Sequence, residues 1–142
     1  MIDLTGGEPL LRSDLEEICA SFDDRSCIIV GTTGWGLTPA RARSLRASGV
    51  FGMGISLDST DKCEHDRLRG RNGAFRATTQ ALANAKEAGL YPYIVAVATR
   101  EFLERDRFDA RSFRIAETSV LRFSTRYHSP PEGIGDCRTG TG

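Results

Sequence analysis

The chain has 142 residues, enough for one domain or most of one. Its 19 basic and 19 acidic residues balance, so no global field favours nucleic acid or an anionic membrane surface. No apolar run approaches the length of a membrane span and no signal peptide is visible, which makes the cytoplasm the expected compartment. The cysteines at 19, 27, 63 and 137 are scattered, with no CxxC or CxxxCxxC ligand set and nothing resembling a disulfide framework.

In chain order the pattern alternates between strand and helix. Ile2–Leu4 reads as a strand end that runs into Gly6-Gly7-Glu8-Pro9. Leu11–Phe22 reads as a helix, with Ser13 as N-cap, Glu16 at capping-box spacing, and a stripe of Leu11, Leu15, Ile18, Cys19 and Phe22. Cys27–Val30 is a continuous apolar run, as in a parallel strand covered on both faces. Thr38-Pro39 opens the next helix as N-cap and first residue, and Ser48-Gly49 ends it. Val50–Leu57 is a strand whose Gly52 and Gly54 suggest close backbone or ligand approach. Ser59–Asn72 reads as a long polar loop, Gly73–Ala88 as an alanine-rich helix closed by Gly89, and Tyr91–Ala98 as a strand. Arg100–Phe108 begins another helix. This alternation argues for a parallel α/β sheet, barrel-like or doubly wound. After Asp109 the pattern degrades; residues 121–127 could make one half-buried strand, and from Ser129 onward the chain reads as turn or disorder.

In parallel α/β folds, ligand groups gather at the carboxyl ends of strands. Here those ends are Thr5-Gly6-Gly7-Glu8-Pro9, Thr32-Thr33-Gly34, Ser56-Leu57-Asp58 and Thr99-Arg100. Two glycines admit a ligand to the backbone without a Cβ in the way, Glu8 adds a fixed negative charge, and Pro9 turns the chain. Such a site suits a small cationic group such as an ammonium. Trp35 reads as a cap on the rim, and His65-Asp66 as loop packing rather than a catalytic dyad.

Gly6-Gly7-Glu8-Pro9 resembles the GGEP motif of the radical S-adenosylmethionine (SAM) enzymes. Ser56-Leu57-Asp58 is similar to the family's Ser-x-Asp. His65-Asp66-Arg67-Leu68-Arg69-Gly70 with Gly73-Ala74-Phe75 resembles the HDxxRG…GxF segment of the branch that modifies peptides or builds cofactors, which has SPASM-like relatives. Thr32-Thr33-Gly34 resembles the family's Thr-Asn-Gly, with Thr33 where Asn is usual, and Ala85–Leu90 resembles the helix end before the fifth strand. The likeness covers roughly residues 2–108.

The resemblance implies a partial (β/α) TIM-like barrel of parallel strands, with the first strand and the later strands missing. Residues 1–108 would be the partial core and 109–142 a divergent, poorly ordered tail. It implies an enzyme that cleaves SAM reductively at a 4Fe–4S cluster, giving a 5′-deoxyadenosyl radical that attacks a peptide or a small cofactor precursor. An electron donor such as a flavodoxin or ferredoxin would be its partner. Gly6, Gly7 and Glu8, with Pro9 completing the loop, would hold the methionine ammonium. Ser56 would bond the carboxylate or ribose, and Arg69, rather than Arg67, would pair with the carboxylate. Thr32 is a weaker candidate for the same end, and Asp58 could bind ribose or anchor its loop. The cluster cysteines are not in this chain, so the isolated chain is expected to be inactive; a missing first strand leaves a pairing edge and an unclosed barrel leaves its interior half covered, so it is also expected to be marginally stable or aggregation-prone. The rival expectation is a non-catalytic α/β module that binds a small ligand or a partner with the same rim.

Overall fold

A computed structural model describes residues 1–97 and 121–124. Five strands form one sheet in the order β1-β2-β3-β4-β5, with every neighbouring pair parallel. They are β1 (Ile2–Leu4), β2 (Ile28–Thr32), β3 (Val50–Ser56), β4 (Tyr91–Val97) and β5 (Leu121–Ser124). A doubly wound sheet reverses strand order at a switch point. This one never reverses, so each strand is laid beside its predecessor as in a barrel wall. The fold is α/β, a partial TIM-like barrel.

The helices are α1 (Leu15–Ala20), α2 (Pro39–Ala47), α3 (Lys62–Leu68) and α4 (Ala74–Glu87). The core lies between them and one face of the sheet. Ile28 and Val30 of β2, Met53 and Ile55 of β3, and Ile94 of β4 pack there with Leu15, Leu45, Leu82 and Ala85. The opposite face is thin, because Gly31 of β2 pairs with Gly54 of β3, which pairs with Tyr93 of β4. A Cβ on Gly54 would sit 2.7 Å from the Tyr93 ring, and one on Gly52 would sit 2.8 Å from the Tyr91 carbonyl oxygen. The close approach expected at these glycines is therefore made by the tyrosines of β4.

Thr38 accepts from the Arg41 N–H and Pro39 starts α2, as its sequence predicts. Two expectations are corrected. The helix expected from Leu11 begins at Leu15, because Pro9–Leu11 forms a separate 3-10 turn and Arg12 is extended, with φ −77° and ψ 131°. The tighter turn buries Leu10 and leaves Leu11 83% exposed, so Leu11 drops out of the apolar stripe. Asp14, not Ser13, occupies the N-cap position of α1.

The polar stretch expected as a loop contains α3. Asp61 caps it by accepting from the Glu64 N–H at 2.8 Å, and its buried residues are His65 and Asp66. A helix whose buried face is polar carries no apolar period to read. The helix expected over Arg100–Phe108, the strand end at Thr99-Arg100 and the turns from Ser129 lie outside the described residues.

Candidate SAM-binding rim

The carboxyl ends of β1 and β2 meet through Glu8. Its Oε1 accepts from the Thr32 hydroxyl at 2.5 Å and the Leu10 N–H at 3.1 Å. Its Oε2 accepts from the Thr33 N–H at 2.8 Å and the Thr33 hydroxyl at 2.5 Å. A half-buried carboxylate with four donors is well compensated for the water it has lost. The Thr32 hydroxyl also accepts from the Gly34 N–H at 3.0 Å, which closes the turn after β2.

Immediately before Glu8, Gly6 and Gly7 hold φ of +95° and +50°. A Cβ on either would meet nothing within 4 Å. Glycine is required here by backbone conformation, and the surface above the loop is open. Pro9 is buried at the start of the 3-10 turn, with Glu8 as N-cap. Arg41 of α2 braces the turn from behind: its guanidinium donates to the carbonyls of Leu10 and Arg12 and lies 3.2 Å from Glu16 Oε1. Those carbonyls would otherwise be orphans of the turn's end.

The end of β2 is locked from the helix side as well. Thr78 of α4, 1% exposed, shares its hydroxyl proton between the Thr33 carbonyl at 3.1 Å and the Ser56 carbonyl at 3.3 Å. Gly34, with φ +82°, passes so close to α4 that a Cβ would lie 2.7 Å from the Ala81 Cβ. Ser56 ends β3 half-buried, and its hydroxyl bonds to no other described residue.

Asp58 is committed within the protein on both oxygens. Oδ1 accepts from the Val97 N–H at 3.0 Å, tying the ends of β3 and β4 together. Oδ2 lies 2.8 Å from Arg69 Nε. The Nε–H is not aimed along that line, so the contact is an ion pair rather than a linear hydrogen bond. Arg69 is thereby held at the rim, one quarter exposed. Arg67 pairs instead with Glu64 along α3 at 2.7 Å.

His65 and Asp66 support this arrangement. His65 is fully buried, and its Nδ1 accepts from the Asp58 N–H at 3.2 Å. The proton of the neutral ring is thus assigned to Nε2. Burial, reinforced by the Arg69 charge, lowers its pKa to about 4 against the opposing pull of Asp58 and Asp66, so the ring is neutral at pH 7. Asp66 accepts from the N–H groups of Gly73 at 2.8 Å and Phe75 at 2.7 Å, capping α4 from α3. They pack and cap from helix α3, where their sequence reading expects packing in a loop. Trp35 lies under the Arg71 guanidinium, whose carbon is 3.3 Å from the ring centroid.

Glu8, Gly6, Gly7, Pro9 and Thr32 are thus one connected unit, while Asp58 and Arg69 form a second beside Ser56. Sequence reasoning places Thr33 at the rim without a role of its own and overlooks Thr78 and Arg41. Thr33 stands out only as a departure from the usual Asn, and Thr78 as one of two threonines in an alanine-rich helix.

Residues 1–105 match the family model described as the Radical SAM superfamily. The chain belongs to the radical SAM superfamily. It is 34% identical over 104 residues to an AdoMet-dependent heme synthase of Nitratidesulfovibrio vulgaris, covering 72% of this chain and 28% of that protein. It is 34% identical over 135 residues to an AdoMet-dependent heme synthase of Methanosarcina barkeri, covering 94% and 38%. A probable GTP 3′,8-cyclase of Halobacterium salinarum is 38% identical over 91 residues, covering 64% and 25%. The chain therefore spans well under half the length of these relatives. Radical SAM enzymes use SAM together with a 4Fe–4S cluster. The rim suits SAM in charge and in open space. No trio of His, Cys, Asp or Glu side chains among the described residues could hold a metal ion. No described helix is long and apolar enough to cross a membrane.

Proposed function

We propose that this chain is the part of a radical SAM enzyme that holds the methionine end of SAM. The observation that carries this reading is the Glu8 junction, which ties the end of β2 to the loop after β1 beside an open glycine turn. The ammonium sits at Gly6, Gly7 and Glu8, where exposed backbone carbonyls and a net negative charge favour a cation. The carboxylate faces Arg69, whose planar fork matches it, with the Ser56 hydroxyl and the Thr32 side of the turn nearby. Asp58 orients Arg69 rather than meeting the ligand itself. When bound at its cluster, SAM supplies the family's radical chemistry.

In the whole protein that chemistry acts on a cofactor precursor. The relatives named for heme synthesis and GTP cyclisation support this over a peptide substrate. A small electron-transfer protein such as a flavodoxin or ferredoxin feeds the cluster, and the cytoplasm is the matching compartment.

Calorimetric titration of SAM into the purified chain tests the binding step. Measurable binding is expected, weakened at least about tenfold by Arg69→Ala through loss of a charge-assisted contact. A folded chain that takes up no SAM would refute the reading.

A further inference from the structure

We infer that Thr33 is a positioning residue for the ammonium subsite. It fixes the Glu8 carboxylate, and through it the Gly6–Gly7 turn, instead of leaving that carboxylate free to meet the ligand. The inference rests on the SAM-binding reading and specifies how its cationic end is built.

A carboxylate offers about four lone-pair positions. At Glu8 the chain's own donors occupy four: the Leu10 N–H, the Thr32 hydroxyl, the Thr33 N–H and the Thr33 hydroxyl. An arriving ammonium therefore finds no unshared oxygen on Glu8. It meets the backbone of the adjoining turn, in the field of a charge already held in place.

Thr33 supplies both donors to Oε2, so that oxygen is oriented by one residue. Thr33 is itself immobilised. Its carbonyl is held by the buried Thr78 hydroxyl, and the next residue, Gly34, is pressed against Ala81. The rigid element is α4; the line of contact runs from it through Thr33 and Glu8 to Gly7.

The test is calorimetry on the full chain with two ligands. SAM carries the ammonium and carboxylate; 5′-methylthioadenosine shares the nucleoside and sulfur but has neither. Thr33→Val is expected to weaken SAM at least about tenfold, to leave 5′-methylthioadenosine within about twofold of wild type, and Thr33→Ser to restore SAM binding. The SAM series of wild type, Thr33→Val and Thr33→Ser decides even where the smaller ligand binds too weakly to measure. Thr33→Ala replaces Thr33→Val if circular dichroism shows the latter unfolded. Unchanged SAM affinity in Thr33→Val, equal loss of both ligands, or failure of Thr33→Ser to rescue overturns the inference while leaving the binding reading intact. Failure of wild type to bind either ligand overturns the binding reading, and this inference with it.

Discussion

His65 shows how much of the rim depends on a single uncharged ring. It accepts the Asp58 N–H, and Asp58 in turn holds Arg69, so a proton on Nδ1 would break the first link of that chain. Its folded pKa of about 4 lies below the ordinary value of 6.5. Between those values the unfolded chain binds the extra proton, so stability rises with pH through this window. Its contribution is complete above about pH 6.5 and is lost as the pH falls toward 4, with a slope of at most about 1.4 kcal/mol per pH unit. His65→Asn, which keeps an acceptor for the Asp58 N–H, should flatten that slope when denaturation midpoints are compared at pH 7.5 and 5. An identical slope in both proteins would mean another group titrates. The motif His65-Asp66 is plain in the sequence, but its division of labour is not. Adjacent residues on a helix point apart, and only the fold shows one supporting Asp58 and the other capping α4.

Among the elements, α3 and α4 are joined by that cap. Asp66, 3% exposed, serves two N–H groups at the start of α4, where Gly73 stands at φ +83° with no side chain to do so. Asp66→Ala should destabilise the chain by roughly 1–3 kcal/mol, the cost of leaving buried donors unpaired. Urea unfolding measures this, and a change below about 0.5 kcal/mol would show that water replaces the cap. The strands and the two longer helices were legible because apolar runs and amphipathic spacing mark them. Short elements were less so. α3 buries a histidine and an aspartate, and the turn at Pro9–Leu11 shifts burial from Leu11 to Leu10. Both follow from local hydrogen bonding, which residue hydrophobicity does not encode.

For the molecule as a whole, the sequential parallel sheet puts every rim residue on one edge and a glycine-lined wall on the face opposite the helices. Sequence alternation gives parallel strands but cannot choose between barrel-like and doubly wound order, since both read as strand then helix. The glycines are the informative exception, because Gly54 stands where the ring of Tyr93 crosses β3. Gly54→Ala should cost about 1–3 kcal/mol by overpacking and lower the thermal midpoint. No change would mean that the Tyr93 ring can turn aside without loss. The opposite end of the sheet carries an exposed stack of Phe51 on Tyr91, with ring centroids 5.8 Å apart.

The central claim is that SAM docks at the carboxyl ends of the strands. Backbone amide shifts of the isotopically labelled chain, recorded by NMR as SAM is added, test it most directly. The expected result is saturable change confined to residues 5–10, 32–34, 56–58 and 69, with the amides around Phe51 and Tyr91 unmoved. Change centred on Phe51 and Tyr91, or none anywhere at saturating SAM, would contradict it.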